Sequence, residues 1–335
     1  MKDYYQPIPH FNTARPADAL PLAGGWCWFD HVIFRDRGGQ HRIIDAKDVP
    51  DDVLHRLTAS RTPIGALSMD RPRIMGILNV TPDSFSDGGQ FGDVTQATRH
   101  ALKMVKNGAD IIDIGGESTR PGAEPVPVHD EIARTVPAIK AIVAQSNVML
   151  SVDTRKAAVA QAAVAAGAGL INDVAAMTFD PGMGAMMAQA GLPVCLMHAQ
   201  GDPATMQADP RYDDVLLDVY DLLDDRIGAA VSAGISRECI IIDPGIGFGK
   251  TLQHNLALLR GLPLFHALGC PVLLGASRKR FIGTLGATEQ TQDRMAGSVA
   301  VALYALRQGV QIVRVHDTFE TKQAFDLDWA INRAE

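Results

Sequence analysis

Eight short apolar runs in this 335-residue chain each end in polar residues able to bind or react. In order these ends carry Asn79, then Gly115-Gly116-Glu117-Ser118-Thr119-Arg120, then Asp153-Thr154-Arg155 and Asn172-Asp173. Met197-His198, Asp243-Pro244-Gly245, Ser277-Arg278-Lys279 and Arg314-Val315-His316-Asp317 follow. The set is lopsided: carboxylates and amides end the middle runs, cations the last two. Ionised carboxylates only accept hydrogen bonds, so Asp153 and Asp243 suit a ligand edge rich in N–H donors. Asn172 can read a mixed donor and acceptor edge. An amino-pyrimidinone ring, as in guanine or a pterin, presents such an edge. Arg314, His316 and Lys279 suit an oxyanion or diphosphate. The inventory therefore implies a donor-rich heterocycle bound beside a phosphate.

Something must bring these ends together. The apolar runs fall at 74–78, 111–114, 148–152, 170–172, 193–197, 240–242, 272–274 and 312–315. Between and after them lie stretches with helical spacing, several closed by a glycine such as Gly108, Gly167 or Gly191. Strands alternating with helices imply a parallel sheet covered by helices. Eight such units over 71–335 predict a (β/α)₈ TIM barrel, in which all eight strand ends face one site. An open doubly wound sheet is the competing architecture, and it does not gather all eight ends. Residues 1–70 differ: they are rich in Pro, Asp and Arg and include Trp26 and Trp28. The run 26–34 reads as one strand, 36–39 as a turn and 41–44 as a returning strand, with a helical turn or two at 51–57. This predicts a small β-rich N-terminal extension, a hairpin cap on the barrel.

Composition excludes several classes. A formal net charge of −7 argues against general binding to nucleic acid or anionic membranes. Hydrophobic residues at 47% rule out disorder for most of the chain. Four cysteines in no CxxC arrangement give neither a disulfide framework nor a zinc site. Without a signal-type leader or an 18-residue apolar run, a cytoplasmic location is expected. Asp243-Pro244-Gly245-Ile246-Gly247-Phe248-Gly249-Lys250-Thr251 fails both common phosphate-loop patterns by one position. It reads as a Gly-rich turn lining the site, with Phe248 as a stacking wall and Lys250 as a solvated surface residue. His198 reads as a hydrogen-bonded wall residue, not a metal ligand.

Residues 76–89 (GILNVTPDSFSDGG) resemble the first loop signature of bacterial dihydropteroate synthases, and 115–123 (GGESTRPGA) the second. The remaining strand ends continue the resemblance in order to about residue 330. It implies a folate-pathway transferase that joins 6-hydroxymethyl-7,8-dihydropterin diphosphate to p-aminobenzoate, and a sulfonamide target. Asp153, Asn172, Asp243 and Lys279 would then hold the pterin, with Met197, Phe248, Ser277 and Val315 also in the substrate site. Thr119, Arg314 and His316 would hold the diphosphate, and Asn79 the Mg²⁺ it carries. The loops bearing Asp87 and Arg120 would close over p-aminobenzoate, and Asp87, Asp153 and Lys279 would be the catalytic set. The resemblance also implies a homodimer. Arg280 departs from it, standing where many members carry a serine that contacts the p-aminobenzoate carboxylate. Arg280 either contacts that carboxylate or points outward. A pterin-dependent methyltransferase and a catalytically silent pterin-binding paralogue are the rival readings; the two intact loop signatures argue against both.

Overall fold

The computed structural model describes residues 2–81, 89–118, 125–201 and 206–333. The chain opens with strands β1 (Asp3–Pro7), β2 (Leu20–Pro21), β3 (Trp28–Phe29), β4 (His31–Asp36) and β5 (His41–Asp45), then helix α1 (Asp51–Thr58). The expected returning hairpin exists as β4–β5, and β1 adds a third antiparallel strand on its other side. The single strand expected over 26–34 is a correction. It breaks at Asp30, and its halves join different sheets, β3 with β2 and β4 with β1 and β5. Asp30 forms the corner: its carbonyl accepts from Ala46 N–H (2.8 Å) and its carboxylate contacts His31 Nδ1 (2.8 Å).

Eight parallel strands follow among the described residues: β6 (Arg73–Asn79), β7 (Ile111–Gly115), β8 (Met149–Asp153), β9 (Leu170–Asp173), β10 (Val194–Met197), β11 (Ile240–Asp243), β12 (Leu273–Leu274) and β13 (Ile312–Val315). Neighbours run β11-β10-β9-β8-β7-β6-β13-β12, and the bridge between Ile242 and Val272 joins the two ends into a closed barrel. The covering helices are α2 (Gly89–Lys106), α3 (Val128–Val143), α4 (Ala157–Ala166), α5 (Met183–Ala190), α6 (Val215–Ser232), α7 (Leu252–Arg260), α8 (Arg280–Leu285), α9 (Met295–Arg307) and α10 (Thr318–Arg333). The short α8 interrupts the simple alternation after β12. Gly167 closes α4 at φ 117°, a backbone conformation that favours glycine.

Side chains alternate along a strand, so inward residues recur every second position. The lowest inward layer is apolar: Met75, Ile111, Leu170, Cys195, Ile241, Leu273 and Ile312 are all buried together. Ile64 and Met69, from the segment leading into β6, join the same cluster and stop the N-terminal end of the barrel. Arg61 helps fix that plug by donating to His266 O (2.9 Å). The rest of the extension lies on the outer helices. Tyr4 OH donates to Asp221 of α6 (2.7 Å), Trp26 Nε1 donates to Leu306 O of α9 (2.8 Å), and Arg37 pairs with Asp218 and Asp221. The expected cap on the barrel is thus built chiefly by 61–69, while the strands brace the flank.

Candidate active site

Two residues above the apolar plug, the same alternation turns Asp113, Ser151, Asn172, Met197, Asp243 and Arg314 inward. Here the barrel changes from hydrocarbon to charge. Arg314 Nε donates to Asp113 Oδ2 (2.6 Å), and its Nη2 donates to Asp153 Oδ2 (2.9 Å). Asn172 Nδ2 donates to the same Asp113 oxygen (3.0 Å). Asp113 is fully buried, and its other oxygen has no hydrogen-bond partner among the described residues. A buried acceptor left open is costly, which marks it as a place for an N–H donor. Burial pushes the Asp153 carboxyl up to about 7, with Arg314 opposing and Asp113 reinforcing. Burial works against the charge on Arg314, yet Asp113 and Asp153 outweigh it and raise its pKa.

Asp113 is absent from the sequence-derived candidates. It sits inside Ile111-Ile112-Asp113-Ile114, which reads as an apolar strand. The available signal was a carboxylate at an inward position, tolerable only with a partner.

Asp243 stands across the ring. Burial raises its pKa, while Lys279 and the Gly245 N–H, donating to Oδ1 at 2.7 Å, oppose the rise. Burial draws the Lys279 amine down to about 8, with Asp243 pulling the other way. That amine donates to Ile246 O and lies 4.4 Å from the Phe248 ring centroid, a cation–π contact. The Gly-rich turn thus runs beside the buried Asp243 and Lys279, with the Phe248 ring against the Lys279 amine. Lys250 is the correction: it is buried, not solvated, because its Nζ contacts His198 Nδ1 and Phe248 O, both at 2.9 Å. His198 is the hydrogen-bonded wall residue expected.

The ends of β12 and β13 are laced together. Ser277 Oγ accepts from His316 N–H (3.2 Å) and lies 3.0 Å from His316 Nδ1. Arg278, at φ 57°, grips Asp317 through two nitrogens. These contacts fix the imidazole beside Arg314. Val315 is a second correction: alternation with Arg314 turns its side chain out into the core between sheet and helices. Asn79 ends β6, and a methyl group placed on Gly115 would meet both Asn79 Oδ1 (3.6 Å) and the Asp153 Cβ (3.7 Å). Asn79 and Asp153 thus converge over Gly115. Arg280, at the start of α8, is exposed. Asp87, Thr119 and Arg120 lie outside the described residues.

A cavity of about 390 Å³ opens beside this ring, walled by Met197, Phe248, Glu117, Ser118, Arg155 and Phe179. Of the inward ring residues Met197 lines it, while Asp113, Asp153, Asp243 and Arg314 are not among its walls.

This architecture, a plugged parallel barrel with buried acids and an arginine at its C-terminal mouth, defines an enzyme built to read a polar heterocycle. The chain belongs to the pterin binding enzyme family, whose match covers residues 75–316. It is similar to dihydropteroate synthases. That of Escherichia coli K12 is 47% identical over 259 residues, 77% of this chain and 91% of the relative. That of Neisseria meningitidis serogroup B is 47% identical over 278 residues, 82% and 96% respectively. Among solved structures, Xanthomonas albilineans dihydropteroate synthase with 4-aminobenzoic acid superposes with a TM-score of 0.77 at 49% identity, covering 82% of this chain and 99% of that one. The same enzyme in complex with 7,8-dihydropteroate gives a TM-score of 0.74 at 45% identity, covering 82% and 100%.

Proposed function

We infer that this chain is a dihydropteroate synthase. It is a transferase that joins 6-hydroxymethyl-7,8-dihydropterin diphosphate to p-aminobenzoate, giving 7,8-dihydropteroate and diphosphate. The observation that carries this is the buried Asp113–Arg314–Asp153 ring with Asn172, in a chain 49% identical to a synthase seen with 4-aminobenzoic acid.

The chemistry follows from the residues. The bond between the pterin methylene carbon and the diphosphate oxygen breaks, and its electron pair leaves with the diphosphate. The dihydropterin ring donates electron density to that carbon, which spreads the positive charge. Asp153 and Asp243 accept from the N–H edge of the ring, and an ionised Asp153 stabilises the spreading charge. Asn172 reads the mixed edge, while Lys279, Phe248 and Met197 hold the ring plane. Arg314 and His316, fixed by Ser277, meet the leaving diphosphate, assisted by Thr119. The p-aminobenzoate nitrogen then forms the new C–N bond and loses a proton, with Asp87 assisting. Arg120 would act at the p-aminobenzoate site, where water must be kept from the cation.

Mg²⁺ enters on the chemistry of the donors. Among the described residues no group of three or more His, Cys, Asp or Glu could hold a metal. The lone Asn79 oxygen suits a hard cation that arrives on diphosphate oxygens. Such an ion, when bound, neutralises charge on the leaving group.

The substrates are small molecules, and a net charge of −7 gives no general attraction to nucleic acid or an anionic membrane surface. Sulfonamides should compete with p-aminobenzoate; Yersinia pestis dihydropteroate synthase, 48% identical, is seen in complex with a sulfonamide drug. The reading includes a homodimer, for which exposed Met295 and Tyr304 on α9 and Phe319 on α10 offer apolar surface. No described helix is long and apolar enough to cross a membrane. All four cysteines are free, which suits a reducing cytoplasm.

The test is diphosphate release. It should require both p-aminobenzoate and Mg²⁺ and match dihydropteroate formation one for one. Release indifferent to p-aminobenzoate would refute the reading.

A further inference from the structure

The turn at 245–249 is pinned residue by residue by side chains. Asp243 Oδ1 accepts from Gly245 N–H (2.7 Å), Lys279 donates to Ile246 O, and Asn255 Oδ1 accepts from Gly247 N–H (2.7 Å). Lys250 donates to Phe248 O (2.9 Å) and Tyr212 OH donates to Gly249 O (2.8 Å). The turn also abuts the end of β10. Gly245 has φ 67°, and a methyl group there would lie 1.8 Å from His198 O.

Lys250 is the link that the reaction leaves unexplained. It is 4% exposed, and its second partner, His198 Nδ1 at 2.9 Å, belongs to a side chain 3% exposed. Among the described residues its amine makes no ion pair with a carboxylate, its contacts being His198 Nδ1 and Phe248 O. A ring nitrogen and a carbonyl oxygen are its partners, and both are acceptors once Nε2 carries the imidazole proton. Two acceptors match the two N–H groups of a neutral amine; a third proton would meet neither of them. Burial, then the neighbouring Lys279, hold the Lys250 amine well below its usual range. Burial holds the His198 imidazole well below its usual range, so it stays neutral and can accept at Nδ1. Asp243 opposes the fall at Lys250 from beyond contact distance, and a buried lysine with no carboxylate in contact is costly to keep charged.

We propose that Lys250 and His198 form a positioning pair for pterin binding. By bridging His198 Nδ1 and the Phe248 carbonyl, Lys250 locks the aromatic wall to the end of β10. It thereby sets the Phe248 ring against Lys279, the two groups that hold the pterin ring. This rests on the pterin reading above, and wild-type binding of pterin diphosphate tests that reading separately.

The experiment compares Lys250→Met, His198→Leu and His198→Asn with wild type. Asn can present an oxygen where Nδ1 sits; Leu cannot. Calorimetry with pterin diphosphate and Mg²⁺, without p-aminobenzoate, gives Kd. Lys250→Met should weaken binding about tenfold, the effect of one lost hydrogen bond between buried groups. Turnover at saturating substrates should change by less than about threefold, because no reacting atom is touched. His198→Leu should match Lys250→Met, and His198→Asn should stay near wild type. Should Lys250→Met not fold, the two His198 variants carry the test. Kd unchanged in folded Lys250→Met or His198→Leu, with only a lower Tm, would overturn the proposal. So would His198→Asn binding as weakly as His198→Leu.

Discussion

Replacing Asp113 with asparagine isolates the residue that the strand pattern concealed. Asp113 Oδ2 receives Arg314 Nε at 2.6 Å and Asn172 Nδ2 at 3.0 Å. Asparagine keeps the volume and one acceptor oxygen but loses the charge. Hydrogen bonds to charged groups are worth roughly 1.5–3 kcal/mol and neutral ones roughly 0.5–1.5. The expected loss is thus about 1–2 kcal/mol, or roughly five- to thirtyfold in kcat/KM. Arg314 keeps Asp153, at 2.9 Å, so the guanidinium is not orphaned and Tm should fall only modestly. A second effect has a definite sign. Asp113 helps to raise Asp153 to about 7, so removing its charge lowers that value. If the ionised Asp153 carries turnover, the acid limb of the kcat/KM profile moves to lower pH. The assay is p-aminobenzoate-dependent diphosphate release across the neutral range. A kcat/KM within twofold of wild type, with an unmoved acid limb, would refute the reasoning.

Four further outcomes are expected. Asp153→Asn should keep the barrel folded and lower turnover by at least tenfold; near-normal turnover removes Asp153 from the mechanism. Because the folded value of Asp153 lies above its ordinary 3.8, its contribution to stability is present below that pH and fades as pH rises to about 7. Thermal melts should therefore show the asparagine variant gaining relative to wild type across that window, and a flat difference would contradict it. Arg280→Ala should leave the KM for p-aminobenzoate unchanged, since the side chain is exposed; a severalfold rise would place it on the carboxylate. Phe319→Asp should shift sedimentation from dimer to monomer, and an unchanged profile would move the subunit contact elsewhere.

The barrel was legible because its cause is local. Short apolar runs, helical spacing and closing glycines each act within a few residues of chain, and β6 to β13 fall within a residue or two of the expected runs. The polar strand ends were legible for the same reason, since the C-terminal end of each parallel strand lies at the mouth whichever way its last side chain points. What was hidden depends on distance. Lys250 reads as a surface lysine until His198, 52 residues earlier, is brought to 2.9 Å. Asp113 reads as a lapse in a run of isoleucines until Arg314, 201 residues later, arrives. Val315 was misplaced by one pleat: naming a motif includes every letter, but alternation sends every second letter outward. Asp30 breaks a strand that its neighbours favour, because the corner is made with Ala46 and His31.

The plug of Ile64 and Met69 has a consequence for traffic. Hydrocarbon closes the lower end of the barrel among the described residues, so the chamber opens toward the strands' C-terminal ends. On the function proposed above, a pterin ring reaching Asp153 and Asn172 would enter from the open end, and a second substrate bound above it would shut it in; the sealed floor, far from any reacting atom, would impose that order.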